Sequence, residues 1–269
     1  RPVNNVAMFA AAEQFLAKHV GTRYQETMSA EVTKRLPEIT VDPKTVVLAK
    51  KVDASSVAVP KPVADLAASV VKYQSKIEAG GQSIAMTITR EIRDEGGNWV
   101  ITDTIATPMG EAQDQTTVTK GGLVSTHRSV KQGPVTIDLA FADGKVTGNM
   151  AMGAEPKKIE QDLGGPVFAD GAGATEILAR LPLTEGYAVN YRNFDIQKQK
   201  PVIKQLKVGA VESVTAAAGT FNAHKVEITT VDSNDKSTLW IDHESRKVVK
   251  ATAVVSAMGG ALVTTELLP

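Results

Sequence analysis

The fold of this chain is decided by Ser83-Ile-Ala-Met-Thr-Ile-Thr-Arg-Glu-Ile-Arg93, in which apolar and polar residues alternate. The alternate residues from Ile84 to Ile88 fall on one side of an extended chain, which predicts a strand with one buried face. Gly96 and Gly97 follow, and paired glycines favour a tight turn because they accept positive φ. Trp99-Val-Ile-Thr-Asp-Thr-Ile-Ala-Thr107 then returns as the partner strand. The stretch therefore predicts an antiparallel hairpin.

The same pattern of strand, glycine turn and strand recurs along the chain. Residues 111–119 pair with 123–131, and residues 134–141 pair with 145–152. Further strands are predicted over 187–196, 202–208, 210–217, 222–231, 237–241, 247–256 and 261–267, and one helix over 174–180. Local hairpins make an antiparallel sheet. The fold class is therefore mainly β, a large curved antiparallel sheet in a half-barrel-like meander with one or two helices.

The first residues differ from the rest because they predict an amphipathic helix. Asn4 or Asn5 caps its start and Gly21 ends it in a left-handed conformation. Phe9 and Leu16 lie on one face, so the helix needs another surface to cover them. We predict three parts: a terminal helix and tail over 1–42, a proline-rich linker over 43–62, and an antiparallel β domain over 63–269.

Composition excludes several classes of function. The 269 residues contain 30 basic and 30 acidic side chains, so there is no net positive charge to attract nucleic acid, and no nucleic-acid partner is expected. No run reaches the roughly 18 to 20 apolar residues that a membrane-spanning helix needs. The absence of cysteine suits a periplasmic or secreted protein of the bacterial envelope, where a stray thiol can mispair.

Searches for catalytic and metal-binding signatures find none. The sequence has no Gly-x-Ser-x-Gly, no phosphate-binding glycine loop and no His-Glu-x-x-His. The four histidines, His19, His127, His224 and His243, show no spacing typical of a metal site. No catalytic residue, metal ligand or cofactor is therefore predicted. Whether the chain is an enzyme stays open, and an active hydrolase would need a triad that no motif shows.

Four side chains are candidates for contact with an apolar ligand: Trp99, Met150, Met152 and Trp240. Each lies in a predicted strand. A strand tryptophan either packs in the core or lines an apolar cavity on the concave side of a curved sheet. The two methionines allow the same two interpretations, because flexible thioethers suit loose cores and adaptable binding surfaces alike.

Residues 1–42 resemble the carboxyl-terminal end of the prolyl oligopeptidase type of serine hydrolase. The resemblance rests on the Arg1-Pro-Val-Asn4 start, the helix end Ala12-Glu-Gln-Phe-Leu-Ala-Lys-His-Val-Gly21, and the tail Glu38-Ile-Thr-Val-Asp42. It implies an upstream catalytic domain that carries the nucleophile, acid and histidine. This chain would then hold none of the three.

The last ninety residues resemble the DUF3108 family and, more loosely, half-barrel lipoprotein carriers of the LolA and LolB type. The pattern is carried by Ala217-Ala-Gly-Thr-Phe221, then His224-Lys-Val-Glu-Ile228, then Thr238-Leu-Trp-Ile-Asp242 with its turn and the basic, apolar strand to Lys250. Leu178-Ala-Arg-Leu-Pro-Leu183 belongs to the same pattern. The resemblance implies an antiparallel sheet curled around an apolar hollow and no catalytic residue.

Two hypotheses of function follow. In the first, the β domain is a non-catalytic carboxyl-terminal domain of a prolyl-oligopeptidase-type hydrolase and serves docking, oligomerisation or substrate handling, with the upstream hydrolase domain or a second copy of the chain as partner. In the alternative, the chain is a free-standing envelope protein that binds a lipid or another apolar ligand in its curved sheet.

Overall fold

The computed structural model of the chain describes residues 2–21, 23, 27–45, 57–107, 110–153, 155–231, 233 and 235–269. The chain divides into two compact units, residues 1–50 and residues 51–269. The division falls inside the linker predicted over 43–62, of which residues 46–56 lie outside the described part of the chain. The three-part domain boundaries drawn from the sequence stay a prediction.

The first unit is a pair of helices, α1 (Pro2–Val20) and α2 (Ala30–Ile39), followed by a 3₁₀ turn at Pro43–Thr45. Ser29 caps α2, since its Oγ accepts a bond from the amide of Val32 at 3.3 Å. Pro37 lies inside this helix. Proline removes one N–H in the last turn, and the helix continues for two more residues to Ile39.

The second unit is a 14-stranded antiparallel sheet with one short helix, α3 (Ala174–Leu178). The strands are β1 (Ser69–Ala79), β2 (Gln82–Glu95), β3 (Asn98–Thr107), β4 (Gly110–Thr119), β5 (Ser125–Gln132), β6 (Val135–Ala142), β7 (Lys145–Met152), β8 (Lys157–Asp162), β9 (Ala188–Asp195), β10 (Lys200–Ala216), β11 (Gly219–Thr230), β12 (Lys236–Asp242), β13 (Val248–Val255) and β14 (Ala261–Leu267). A 3₁₀ turn at Ser256–Met258 precedes β14. The mainly β, antiparallel fold class is confirmed.

The sheet consists of two meanders joined side by side. Its order runs from β8 back to β1, then to β14, and from there back to β9. Strands β8 and β9 are therefore its two ends, and within the described residues no backbone ladder joins them. Side chains bring the ends together instead: the rings of Phe141 and Phe194 are 6.3 Å apart, and Lys157 Nζ donates to Gln199 Oε1 at 3.1 Å. The sheet is curved and unclosed.

Three details of the sheet differ from the sequence-based prediction. Strands β1 and β8 were not predicted. The two strands predicted over 202–208 and 210–217 are one long strand, β10, whose pairing with β11 shifts between Val208 and Val211. Such a bulge lets a strand bend without ending, which is why the apolar period broke there.

The concave side of the sheet is filled by residues 163–183, which we call the inner segment. Its amides and carbonyls bond to both meanders: Ser125 N donates to Val167 O at 3.0 Å, and Phe168 N donates to Arg192 O at 2.9 Å. Its apolar side chains, including the fully buried Phe168 and Ile177, form the main core with strands from both meanders. A connection without regular structure can be buried here because the strands satisfy its backbone.

A buried ion network fixes α3 to the strands. Arg90 Nε and Nη2 donate to the two carboxylate oxygens of Asp103 at 2.7 and 2.8 Å. Arg90 Nη1 donates to Thr175 Oγ1 at 2.8 Å and lies 3.5 Å from Glu176 Oε1. The Tyr73 hydroxyl donates to the same Glu176 oxygen at 2.6 Å, and burial raises the pKa of Tyr73. The network holds the helix in place by satisfying every charge that it buries.

Candidate functional site

A cleft of about 780 Å³ opens in the β unit between β4–β7, the inner segment and the β9–β10 hairpin. Its volume lies within the range of roughly 300 to 1,000 Å³ that small-molecule sites occupy.

One wall of the cleft is apolar. The residues that form it come from both ends of the sheet: Val130, Val135, Ile137, Met150, Met152 and Phe194. Alternation puts them there, because β6 buries every second residue from Ile137 onward and turns the others outward. Apolar side chains from both ends of the sheet therefore face one cavity.

The floor of the cleft carries a buried cation between two carboxylates. Arg128 on β5 donates to both oxygens of Asp114 on β4, at 3.1 and 2.7 Å, and to Asp170 Oδ2 of the inner segment at 3.2 Å. Burial raises the pKa of Asp170, and the positive charges of Arg128 and Lys204 oppose that rise. All three nitrogens of the Arg128 guanidinium thus donate to protein carboxylates.

Gly171 lets the inner segment approach this floor closely. Its φ is +69°, and a methyl group at its Cβ position would overlap the hydroxyl of Thr116 and the guanidinium of Arg128. Thr116 Oγ1 also donates to the carbonyl of Asp170 at 3.3 Å. A residue with a side chain at 171 would push the segment away from β4 and β5.

Lys204 is the one charged group of the cleft that lacks an ionic partner among the described residues. The charged residues lining the cleft are Asp114, Arg128, Asp170, Asp195 and Lys204. The first three pair with one another, and Asp195 pairs with Lys198 at 3.2 Å. No hydrogen bond or ion pair from the described residues reaches Lys204 Nζ. Desolvation by burial lowers the pKa of Lys204, and Asp170 is the carboxylate that most opposes this shift.

Two of the four side chains predicted to touch a ligand line the cleft. Met150 is buried in its wall and Met152 is 64% exposed at its rim. Trp99 lies in the main core, where Nε1 donates to Asp65 Oδ1 at 2.8 Å and Lys120 Nζ stands 4.9 Å from the ring centroid. Trp240 packs on a smaller cluster and donates to Glu212 Oε1 at 2.6 Å. The structure brings the methionines together and leaves both tryptophans outside the cleft.

The charged floor was missed at the level of sequence, although a signal existed. In Val202-Ile-Lys-Gln-Leu-Lys-Val208, Lys204 has the same parity as Leu206 and Val208, which are buried in the core. A charged side chain at an inward position of a strand is rare unless it has a partner or a function. A search for inward-facing charges, instead of motifs, would have found it.

Two histidines that are far apart in the sequence are in contact in the structure. His224 Nε2 and His243 Nδ1 are 2.8 Å apart, and their ring centroids are 4.9 Å apart with the ring planes tilted by 41°. Burial lowers the pKa of His224, and the nearby His243 and Arg246 lower it further. In the described residues no group of three or more histidine, aspartate or glutamate side chains is arranged to hold a metal ion.

None of the described helices has both the length and the apolar character needed to cross a membrane.

Fold and cleft together define a class: a curved antiparallel sheet wrapped around a buried inner segment, with one amphipathic cleft near its ends. A family model described as a protein of unknown function, DUF3108, matches residues 68–267. The chain belongs to the DUF3108 family, as its carboxyl-terminal pattern predicted. The match begins after residue 67, so the resemblance of residues 1–42 to prolyl oligopeptidase stays a prediction. No curated protein matches the chain.

Among solved structures, the chain is similar to a β-barrel-like protein of the domain of unknown function DUF1849 from Brucella abortus. The two share 13% identity over 78% of this chain and 98% of the other, with a TM-score of 0.51. This likeness shows the fold. A putative exported protein with a YmcC-like fold from Bacteroides fragilis aligns at 11% identity over 77% and 97% of the chains with a TM-score of 0.33. The hypothetical lipoprotein YmcC from Escherichia coli aligns at 10% identity over 74% of this chain and 84% of the other, with a TM-score of 0.33.

Proposed function

We propose that this protein binds an apolar or amphipathic ligand, such as a lipid chain, in the cleft between the two ends of its sheet. The proposal rests on one observation: an open cavity of about 780 Å³ has a continuous apolar wall that includes Met150 and Phe194. The other hypothesis, a docking domain of a prolyl-oligopeptidase-type hydrolase, has no comparable feature to support it. The cleft therefore favours the alternative that the sequence left open.

Such a site need not be rigid throughout, although a firm base is useful. The inner segment is locked to β4 and β5 through Arg128 and to β9 through the carbonyl of Arg192. The apolar wall ends in the half-buried Val130 and the exposed Met152, which can adapt to ligands of different length. A firm floor and an adaptable rim suit a carrier better than an enzyme, since no described nucleophile with an adjacent base lies in the cleft.

An envelope location, periplasmic or secreted, is part of the proposal. A cysteine-free β protein tolerates an oxidising compartment, and apolar chains that leave a membrane need a protein cavity to cross an aqueous space. Cell fractionation of the native host with an antibody to the chain tests this location. Recovery in the cytoplasm would contradict it.

Binding is tested with N-phenyl-1-naphthylamine, a neutral apolar fluorophore whose emission rises when it leaves water. We expect saturable binding to the protein and displacement by long-chain lipids extracted from the native host. The variant Val130→Trp fills the cleft from its wall, because Val130 lies on the inner face of β5 beside Ile137. Its affinity for the fluorophore is expected to fall about tenfold or more, the loss of roughly 1.4 kcal/mol of contact.

The matched control is Thr136→Trp, which adds the same side chain to the exposed, outward face of the neighbouring strand β6. It should bind the fluorophore as the unaltered protein does. Equal affinity in all three proteins, or no saturable binding at all, would refute the proposed function.

A further inference from the structure

One cation of the cleft, Lys204, has no ion-pair partner among the described residues. Lys204 lies on β10 directly opposite Tyr191 of β9 and Thr230 of β11. Neither neighbour carries a negative charge, and no described carboxylate lies within ion-pair distance of Nζ. The residue is partly buried and lines the cleft. An ammonium in such a place costs free energy unless something else compensates it.

The other charges of the cleft make their ion pairs elsewhere, and the carboxylate of Asp170 acts on Lys204 only from beyond ion-pair distance. Asp114 uses both oxygens on Arg128, and Asp170 uses Oδ2 on the same guanidinium. Asp195 is held by Lys198 and by the amide of residue 198 at 2.9 Å. Lys204 is therefore left with ammonium hydrogens that point to no protein acceptor among the described residues.

Lys204 also stands at the junction of two cavities. A second cavity of about 250 Å³ lies next to the cleft, and Lys204, Ala169 and Ala174 line both. The second cavity adds hydroxyl groups from Thr175, Ser237, Thr252 and Thr265. The ammonium is thus placed between the cleft and a second cavity whose lining is mainly apolar and includes these hydroxyl groups.

We propose that Lys204 binds the anionic head group of a single-chain amphiphile, a carboxylate or a phosphate, whose chain lies along the apolar wall of the cleft. This inference rests on the proposed function and names the class of ligand. At roughly 30 Å³ for each non-hydrogen atom, the share that one water takes in the liquid, the cleft of about 780 Å³ holds on the order of 25 such atoms. That is room for one chain with its head group.

The test compares amphiphiles that share one chain and differ in the head group. Isothermal titration calorimetry is carried out with sodium dodecanoate, dodecyl phosphate and dodecan-1-ol below their aggregation concentrations, and with inorganic phosphate alone. We expect one or both anionic amphiphiles to bind at least about tenfold more tightly than the alcohol, because a charge-assisted bond replaces an unpaired ammonium. The two anionic arms distinguish a carboxylate from a phosphate head group.

The variant Lys204→Met keeps the length of the side chain and removes its charge. It should bind dodecan-1-ol as the unaltered protein does and lose the preference for the anionic amphiphiles. The matched control is Lys207→Met, which removes one positive charge from an exposed position of the same strand. This control should keep the full preference, which separates a local contact from the effect of net charge.

The outcomes separate the two proposals. If the alcohol and the anions bind equally to the unaltered protein, the role of Lys204 is refuted while the cleft remains an apolar site. A preference that persists in Lys204→Met, or binding of inorganic phosphate as tight as that of dodecyl phosphate, refutes it as well. If no amphiphile binds and N-phenyl-1-naphthylamine does not bind either, the proposed function itself fails.

Discussion

Replacing Arg90 by methionine tests whether the buried ion network holds the inner segment in place. The change removes the guanidinium that donates to both oxygens of Asp103 and reaches Thr175 and Glu176. Its side chain and that of Asp103 are about 10% exposed. The variant therefore leaves Asp103 buried without its cation, and leaves Glu176 with Arg180 alone, at 3.8 Å. Removal of one partner from a buried ion pair costs about 3 to 5 kcal/mol.

Urea unfolding followed by tryptophan fluorescence measures this cost, because Trp99 lies in the core that the network supports. The slope of unfolding free energy against urea is about 1 to 3 kcal/mol per molar and rises with protein size. For a unit of this length we take the upper end, so Arg90→Met should lower the midpoint by about 1 to 2 M.

The matched control is Arg93→Met on the same strand. Arg93 pairs with Glu91 and Glu95 at 3.0 and 3.2 Å, but its side chain is 43% exposed. Exposed pairs contribute about 0 to 1 kcal/mol, so the midpoint should move by no more than about 0.3 M. If both variants lose the same small amount, the network does not hold the segment, and the reasoning about Arg90 is wrong.

Three further predictions concern the core, the turn at the cleft and pH. Ile177→Ala, at a fully buried position of α3, should lower the free energy of unfolding by about 2 to 5 kcal/mol, whereas Ile84→Ala at a half-exposed position should lower it by less than about 1 kcal/mol. Gly171→Ala should lower both stability and fluorophore affinity because its methyl group meets the floor of the cleft, and Gly97→Ala, at an open position, should change neither. Burial lowers the pKa of His224 from its ordinary value of 6.5. As the pH falls through 6.5, the imidazole takes up a proton in the unfolded state and does not in the folded state. The unaltered protein should therefore lose more stability between pH 7.5 and 5.5 than His224→Gln does.

Much of the sheet could be predicted because its strands alternate clearly. The hairpin of β2 and β3 follows directly from the apolar period and the glycine turn. Strand β1 escaped prediction because Ser75, one of its inward residues, is polar; the structure pairs it with Thr265 at 3.0 Å. Strand β8 escaped because Ile159 is its single apolar residue. Periodicity predicts a strand only when its inward residues are apolar and its outward residues are polar.

The inner segment could not be predicted from local sequence. Residues 163–173 are rich in glycine and look like a surface loop, yet the structure buries most of them between the two meanders. Their burial depends on partners far away in sequence, such as Ser125 and Arg192. The apolar half of the cleft was partly foreseen through Met150 and Met152, but its charged floor depends on which strands the segment touches, and only the topology decides that.

Inward-facing charges in this fold are of two kinds, and stability measurements distinguish them. Arg90 and Arg128 face carboxylates at hydrogen-bond distance, so their charges belong to the structure. Lys204 faces no described carboxylate at that distance, so its charge costs stability in the empty protein. The same substitution to methionine should therefore have opposite effects: Arg90→Met lowers the urea midpoint, and Lys204→Met leaves it unchanged or raises it. A binding site can require a charge that weakens the fold. Its partner arrives with the ligand, so the charge is unpaired in the empty protein. A midpoint that falls in Lys204→Met as far as in Arg90→Met would mean that Lys204 is a structural cation, and the case for an anionic ligand would lose its basis.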